Sequence, residues 1–348
     1  SYEAIINAID SATYEIDLEV YLFSHPYLLD AIHRALQRNN SMVVNIIMDG
    51  APLGSYSAKY NRYVAYNLTS SGYPNVNIFW ASSTFTFTHA KFCIIDREIV
   101  IVESANWAKS SIPLEGRSGN REWGVIIKDE RIADYFLQVF NNDMLIAEPV
   151  TKPPTDYIPP TYTFYGSYSP NFESQNFVEY MRITPVFSPD TSREAILNLI
   201  DSANESIEIQ EMYIYSEDTV ISEFINAILD AKNRGVSVRV ILDDRTDKNN
   251  QTAELLSSYG IEVAFSSSEF DTMHNKGIIV DGKVVLVSSI NWSGNSVENN
   301  REAGVIIYNE DVASYFLGVF NYDWSKAELY SYEGGEGTEE SIWDYVIY

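Results

Sequence analysis

The sequence predicts an α/β protein made of two similar repeats, each a mixed β-sheet flanked by helices. Three observations predict this fold class. The segment EAIINAIDSATYEIDLEVYLF, which begins at Glu3, returns at Glu194 as EAILNLIDSANESIEIQEMYIY. In both copies apolar residues at helical spacing precede strand-like runs. Both copies then close with a short series of β-rich runs and a final helix, NREWGVII and DYFLQVFNND matching NREAGVII and SYFLGVFNYD. The chain is therefore expected to carry an internal duplication.

The elements follow in the same order in both repeats. A helix leads into a strand, and a second helix leads into an apolar strand. A further helix and a short strand precede three β-rich runs, which read NKGIIVD, KVVLVSS and EAGVIIY in the second repeat. This order predicts a sheet with helices layered against it. The expected bounds are helix 3–12 and 192–204, helix 27–38 and 219–233, and strand 42–48 and 236–242.

Four segments are expected along the chain. The first repeat covers residues 1–147 and the second covers 181–328. Between them, Pro, Gly and Tyr replace periodic hydrophobic residues, which predicts a linker over 148–180. Residues 329–348 are expected to form an acidic tail. Because the strand-like run MRITPVF before the second repeat has no counterpart before the first, the first repeat is expected to be clipped at its amino end.

Composition restricts the partners. A net charge of -26 argues against a broadly basic surface that would hold nucleic acid or anionic lipid without specificity, so an anionic substrate needs a local cluster. No apolar run reaches the roughly 18 residues that a membrane span requires. Cys93 is the single cysteine of the sequence, which excludes an internal disulfide and a Cys-rich metal site. The abundant Tyr, Ser and Asn, with several Asn-x-Ser/Thr triplets, indicate an exported, extracellular protein.

Two of the four histidines occupy equivalent positions in the repeats. His89 and His274 are each followed by Lys at +2, Asp at +7, Ser at +15 and Asn at +17. Alternation along a strand places each His and its Lys on one face, and the Ser and Asn are expected at the end of the neighbouring strand. Ammonium and amide groups suit phosphate oxygens, and imidazole acts as a nucleophile or a general acid near neutral pH. Two facing copies would supply both halves of a two-histidine reaction.

These residues resemble the phospholipase D superfamily, whose hallmark is a duplicated H-x-K-x4-D followed by G/S-S-x-N. The resemblance covers nearly the whole chain. It implies two halves packed about a pseudo-twofold axis, with one active site between them. It also implies phosphodiester transfer through a phosphohistidine, without a metal or other cofactor. By similarity His89 would be the nucleophile, and His274 would be the general acid and base.

The resemblance implies roles for neighbouring residues as well. A carboxylate from a later strand would accept the other imidazole N–H. Glu302 in NNREAG fits that role, and Glu122 in GNREWG is its equivalent; the alternative is a pair of surface charges at a strand start. The side chains expected to hold the phosphoryl oxygens are Lys91, Lys276, Asn106, Asn291, Ser104 and Ser289.

Other motif residues are expected to shape the fold. Asp281 opens the turn sequence DGK, where Asp-Gly suits a tight hairpin, and Asp96 occupies the same connection in the first repeat. Core packing and substrate contact are both compatible with Trp107 and Trp292, which follow the two asparagines.

Three residues depart from the repeat or from the family pattern. Glu103 stands where many family members have Gly, and a carboxylate there would repel a phosphodiester unless it points away or is paired. His25 and His33 have no equivalents in the second repeat and are expected at the surface. The polar and aromatic loops SSTFTFTH and SSSEFDTMH are expected to border the cleft and to select the substrate.

The substrate is less defined than the reaction. A nuclease that cuts single-stranded DNA or RNA is favoured, because HNKGIIVDGKVVLVSSINWS resembles compact microbial nuclease-like members and aromatic residues can stack unpaired bases. The alternative is a phospholipase D, in which tyrosines would receive a quaternary ammonium headgroup. An inactive binding module is the minor alternative, since both His-Lys pairs and both asparagines are present. A monomer is expected, because one chain carries both halves.

Overall fold

The computed structural model describes residues 2–332, and the two halves have similar architecture. Ser1 and residues 333–348, which include most of the expected acidic tail, lie outside the described residues. The elements of the first half are α1 (Tyr2–Ser11), β1 (Glu15–Val20), α2 (Pro26–Arg38), β2 (Val43–Met48), α3 (Ser57–Thr69), β3 (Val76–Trp80), β4 (Lys91–Ile95), β5 (Ile99–Glu103), β6 (Gly124–Lys128), α4 (Glu130–Ile146) and β7 (Glu148–Pro149).

Within residues 2–332 no helix combines the length and the apolar character that a membrane crossing requires. The second half repeats the order of the first, with one added strand at its start and one added short helix before its last long strand. Its elements are β8 (Arg182–Ser188), α5 (Ser192–Asp201), β9 (Ser206–Glu211), α6 (Thr219–Asn233), β10 (Ser237–Leu242), α7 (Asp247–Ser258), β11 (Glu262–Phe265), β12 (Lys276–Val280), β13 (Val284–Ser288), α8 (Gly294–Glu298), β14 (Glu302–Tyr308), α9 (Glu310–Lys326) and β15 (Glu328–Leu329).

Each half contains one mixed sheet. The strand order is β6-β5-β4-β1-β2-β3-β7 in the first half and β15-β11-β10-β9-β12-β13-β14-β8 in the second. Strands β1, β2 and β3 are parallel, and helices connect them. Strands β4, β5 and β6 run antiparallel, with a short turn between β4 and β5 and a long loop, residues 104–123, between β5 and β6. The expected α/β fold of two similar repeats is confirmed.

The run MRITPVF forms the outermost strand of the second sheet. As β8 it pairs with β14 in antiparallel register from Arg182 opposite Tyr308 to Ser188 opposite Glu302. In the part of the chain that the structure describes, the first sheet has no strand in this position, and β6 is its edge. Most residues of β6 are accordingly exposed or half-buried, whereas β14 is almost fully buried.

The apolar side chains form three clusters. One lies within the first half and a second lies within the other half. The third cluster combines both halves, with Phe92 and Phe136 from the first and Ile279 and Phe320 from the second. The two halves therefore share a continuous hydrophobic interface, and burial of this apolar surface holds them together.

The aspartates of the two motifs anchor hairpin turns. Asp96 and Asp281 have positive φ angles, 51° and 53°, as the turns between β4 and β5 and between β12 and β13 require. The Asp281 carboxylate also accepts backbone N–H bonds from Asn204, Glu205 and Ser206 at 2.7–3.2 Å. Asp96 makes the equivalent bonds with the backbone before β1. These contacts agree with the structural role expected for both residues.

The first of the remaining histidines corrects a sequence expectation. His25, expected at the surface, is fully buried at the N-terminus of α2. Its Nδ1 accepts the N–H of Leu28, and its Nε2 lies 2.9 Å from the Ile112 carbonyl. A histidine ring can satisfy two backbone groups in this way, so burial is tolerated, and burial lowers the pKa of His25 to about 4. His33 is half-buried and lies 2.5 Å from Asn67 Oδ1.

The two tryptophans belong to the core. Trp107 and Trp292 are fully buried and pack edge-to-face against Phe23 and Phe224, with ring centroids 5.0 and 5.1 Å apart. Core packing is thus the alternative that the structure favours.

Candidate active site

The segment that precedes each histidine pairs with the opposite half of the molecule. The His89 N–H donates to the Arg301 carbonyl at 2.8 Å, and the His274 N–H donates to the Arg121 carbonyl at 2.9 Å. Parallel bridges between Thr88 and Arg301, and between Arg121 and Met273, extend these contacts. Each histidine therefore lies two residues before a strand of its own repeat, and its backbone is held against the NRE segment of the other repeat.

Each imidazole binds the carboxylate of the other repeat. His89 Nδ1 lies 2.8 Å from Glu302 Oε2, and His274 Nδ1 lies 2.8 Å from Glu122 Oε1. The family resemblance implied this role for both glutamates, but it did not show that the pairs cross between the repeats. Since the carboxylates accept a hydrogen bond from Nδ1–H, the Nε2 atoms carry the lone pairs that are available for chemistry.

The protonation states follow from burial and from these pairs. Burial lowers the pKa of His89 to about 4, against the opposing effect of Glu302, and it lowers the pKa of His274 as well. Burial alone would raise the pKa of Glu122, but His274 and Lys276 outweigh it and lower that pKa to about 2. At neutral pH both histidines are thus neutral in the free protein, and Glu122 is ionised.

The two motif serines contact carboxylates and not the expected phosphate position. Ser104 and Ser289, expected to bind phosphate, are fully buried. Ser104 Oγ donates to Glu122 at 2.5 Å, and Ser289 Oγ donates to Glu302 at 2.6 Å. A hydroxyl donor suits a carboxylate as well as a phosphate, so the sequence did not separate these roles. In the structure the serines orient the two glutamates.

The lysines and asparagines of the motifs lie at the same site. Lys91 and Lys276 are fully buried, and each ammonium donates to the carbonyl of the histidine two residues before it. Burial lowers the pKa of Lys91 to about 7 and lowers the pKa of Lys276. The side-chain oxygens of Asn106 and Asn291 are buried and have no hydrogen-bond partner among residues 2–332. These four residues keep the phosphate-binding role as a prediction.

Two aspartates that the sequence analysis did not identify bind the backbone just before each motif histidine. Asp49 and Asp243 follow β2 and β10 and are buried. Asp49 Oδ2 accepts the N–H of Thr88, and Asp243 Oδ2 accepts the N–H of Met273, both at 2.9 Å. The signal was present in the repeated segments IIMDG and VILDD, where an acidic residue follows a buried strand in both copies.

An arginine of each NRE segment pairs with a buried aspartate of the other half. Arg301 contacts Asp143 of α4 through Nε at 2.7 Å and Nη2 at 2.9 Å. Arg121 donates to Asp323 of α9 at 2.9 Å. Because Glu122 and Glu302 directly follow these arginines, the ion pairs also fix the segments that carry the two glutamates.

A third side chain neighbours the aspartate of each ion pair, and its residue type differs between the repeats. Gln210 Nε2 donates to Asp323 at 2.9 Å. Glu19 is the equivalent residue in the first repeat; its carboxyl group neighbours that of Asp143, and neither Glu19 oxygen has a hydrogen-bond partner among residues 2–332. A carboxyl group can donate only when it is protonated. Burial, reinforced by the charge of Asp143, raises the pKa of Glu19 well above its usual value. We therefore expect Glu19 to hold a proton and to donate to Asp143, as the Gln210 amide donates to Asp323.

Glu19→Gln is expected to remove a pH dependence of stability. The raised pKa means that folded wild type binds a proton that the unfolded chain releases above a pKa of about 4.3, so wild type loses stability as pH rises from there. The variant keeps its donor at any pH. Its free energy of unfolding relative to wild type should therefore rise by up to about 1.4 kcal/mol per pH unit. Urea unfolding over a pH series measures this difference.

Gln210→Glu is the matched control. It should introduce the same loss of stability with rising pH in the second repeat, because Asp323 would then face a carboxyl group. Parallel stability curves for wild type and Glu19→Gln would contradict the assignment of a proton to Glu19.

The fold and the facing His, Glu and Lys side chains define a two-motif protein of the phospholipase D class. A comparison with protein families agrees: residues 5–144 and 196–324 match the family described as "Cardiolipin synthase, PLD-like domain". The chain belongs to this family, and so to the phospholipase D superfamily that its motifs resemble.

Individual proteins show the same relationship. A "Mitochondrial cardiolipin hydrolase" of Canis lupus familiaris is 38% identical over 94 residues, which are 27% of this chain and 37% of that protein. A "Cardiolipin synthase" of Geobacillus sp. (strain WCH70) is 22% identical over 347 residues, covering 96% of this chain and 66% of that protein. The chain thus spans less than two thirds of the length of either relative.

A solved structure shares the fold. The phosphatidylserine synthase of Haemophilus influenzae Rd KW20 superposes with a TM-score of 0.72 at 16% identity, covering 94% of this chain and 85% of that chain. The arrangement of two similar α/β halves is therefore common to both proteins.

Proposed function

We propose that the chain is a phosphodiesterase that hydrolyses or transfers the headgroup of a phospholipid. The observation that carries the reaction is the pair of imidazoles, each with Nδ1 bound to a glutamate of the other repeat and each followed by a buried lysine. The substrate class is supported by the family description and by the two relatives named for cardiolipin. These findings favour the phospholipid alternative over the nuclease that the sequence favoured.

The first step forms a phosphohistidine. The Nε2 lone pair of His89 attacks phosphorus, and the P–O bond to the leaving group breaks. The leaving oxygen takes a proton from Nε2 of His274. Lys91 and Lys276, with the two motif asparagines, offset the negative charge that builds on the remaining phosphoryl oxygens.

The second step releases the phosphoryl group. Water or an alcohol gives its proton to His274 Nε2 and attacks phosphorus, and the P–N bond to His89 breaks. Water yields hydrolysis, and an alcohol yields transfer. Both imidazoles return to their starting protonation states.

The acid step requires a protonated His274, whose pKa burial lowers in the free protein. A bound phosphodiester brings a negative charge next to the ring and so raises that pKa. The ionised Glu122 on Nδ1 stabilises the imidazolium that forms. Substrate binding thus prepares the acid.

Phospholipid vesicles and a labelled single-stranded DNA oligonucleotide, each in excess EDTA, test the proposal. We expect wild type to release headgroups from vesicles of cardiolipin, phosphatidylglycerol or phosphatidylcholine and to leave the oligonucleotide intact. A charge of -26 argues against a basic track along the many phosphates of a nucleic acid, whereas the two buried lysines suit one phosphodiester at a time.

The double variant His89→Ala/His274→Ala is the control and should be inactive on every substrate. Cleavage of the oligonucleotide without lipid turnover would replace the phospholipid with nucleic acid. Turnover of neither substrate would leave an inactive binding module.

A further inference from the structure

Each lysine of the site has a buried carboxyl group on a neighbouring strand. In the first half, Lys91 begins β4 and lies opposite Val20 of β1. On its other side, the register that pairs Phe92 with Val102 places Lys91 opposite Glu103, the last residue of β5. One neighbour is thus apolar, and the other is a carboxyl group.

The second half has the reverse arrangement. Lys276 lies opposite Glu211 of β9 on one side and opposite Ser288 of β13 on the other. Glu211 is the repeat equivalent of Val20, and Ser288 is the equivalent of Glu103. The carboxyl group has therefore moved from one neighbouring strand to the other, while each lysine keeps one.

Directly opposed residues of an antiparallel pair project to the same face, with Cβ atoms about 4.5–5.5 Å apart. Both glutamates are buried, with Glu211 fully inaccessible and Glu103 4% exposed. Within residues 2–332 neither Glu211 oxygen has a hydrogen-bond partner, and Glu103 accepts a bond from the Trp107 indole at 2.9 Å. Neither glutamate makes a direct ion pair with its lysine among residues 2–332, so each pair is coupled through space, between directly opposed positions.

We propose that Glu103 and Glu211 are positioning residues of the two half-sites, each keeping the lysine beside it charged and in place for the phosphoryl oxygens. The inference rests on the proposed function. It also accounts for the departure of Glu103 from the family pattern, because this carboxyl group faces Lys91 instead of repelling the substrate.

The surrounding charges support this assignment. Burial lowers the pKa of Lys91, Lys276 adds to that effect, and the carboxylates of Glu302, Glu122 and Glu103 oppose it. Burial raises the pKa of Glu103 to about 8, and the Trp107 indole and Lys91 both oppose that rise.

Lys276 has similar surroundings. Burial lowers its pKa, and Glu122, Glu211, Glu302 and Asp243 oppose that effect. Burial raises the pKa of Glu211 well above its usual value. Removal of either Glu103 or Glu211 should therefore lower the pKa of its lysine, and that ammonium should be lost at a lower pH.

Binding of inorganic phosphate, measured by calorimetry over a pH series, tests the inference without requiring turnover. For Glu103→Gln and Glu211→Gln we expect the pH above which phosphate binding is lost to fall by about one unit, the usual effect of removing a nearby opposite charge. Glutamine has nearly the same shape and still accepts the Trp107 indole N–H, so folding is preserved.

The different strand position of the carboxyl group in the two half-sites provides a sharper test. Glu103→Ser should weaken phosphate binding about tenfold at a pH one unit below the wild-type limit, and adding Val20→Glu should restore it, because the double variant reproduces the second half-site. Glu211→Val with Ser288→Glu is the reciprocal pair.

Two results would overturn the inference. One is an unchanged pH limit for both Gln variants, which would leave Glu103 as a partner of Trp107 alone. The other is an absence of phosphate binding by wild type at any pH of the series, since the inference requires the charged lysines to bind phosphoryl oxygens. Lack of lipid turnover by a wild type that binds phosphate would contradict the proposed function and leave this inference standing.

Discussion

His274→Ala should trap a phosphoryl group on His89. A phosphodiester with a p-nitrophenol leaving group needs little protonation, so the first step can proceed without His274. The second step then lacks its base, and breakdown of the intermediate should slow by about 10²–10⁴-fold. Intact-mass spectrometry should show an acid-labile phosphoryl adduct on the variant.

His89→Ala provides the comparison. It should form no adduct and should lose turnover by at least the same factor, since the nucleophile itself is missing. An adduct on His89→Ala and none on His274→Ala would reverse the two roles. That reversal is chemically possible because both rings have the same partners: a glutamate on Nδ1 and a lysine two residues further on.

Glu302→Gln should inactivate the histidine of the other repeat. The amide can donate a hydrogen bond to His89 Nδ1, which would favour the tautomer with its ring proton on Nε2 and remove the attacking lone pair. Loss of the carboxylate also removes the charge that stabilises the ring during the reaction. We expect kcat to fall by about 10³–10⁴-fold, the scale seen when the carboxylate that orients a catalytic histidine becomes an amide. Single-turnover kinetics with the p-nitrophenyl substrate measure this step.

Two control variants show whether the fall in kcat of Glu302→Gln is specific to the first step. Glu122→Gln should act on His274 and slow mainly the breakdown of the intermediate, so the adduct should accumulate. Glu298→Gln, at an exposed glutamate at the end of α8, should leave both steps unchanged. Accumulation of adduct in Glu302→Gln would mean that its contact with His89 does not govern the nucleophile.

The sequence predicted the repeat, the order of elements and the strand at 181–187, because these features depend on local periodicity and on a visible duplication. It also brought His89, Lys91 and their equivalents into one site. The crossed His–Glu pairs could not be predicted, since each histidine is closer along the chain to the glutamate of its own repeat. The crossing depends on how the halves dock.

The residues that sequence reasoning misplaced have side chains with more than one suitable partner. The hydroxyls of Ser104 and Ser289 suit phosphate, but the structure places them on carboxylates. His25 is a polar residue without a repeat equivalent, but backbone groups on both sides of its ring allow it to be buried. The serine partners lie in a different strand or loop, and the His25 partners are backbone groups, so composition and spacing do not reveal either set of contacts.

The crossed pairs restrict how the duplicated segments can diverge. Because His89 depends on Glu302 and His274 depends on Glu122, the groups that complete one histidine are encoded in the other copy. A substitution of the glutamate in either NRE segment changes the surroundings of the histidine in the opposite repeat. The two copies therefore cannot drift independently at these positions, and neither can lose its motif without disabling the partner that it serves.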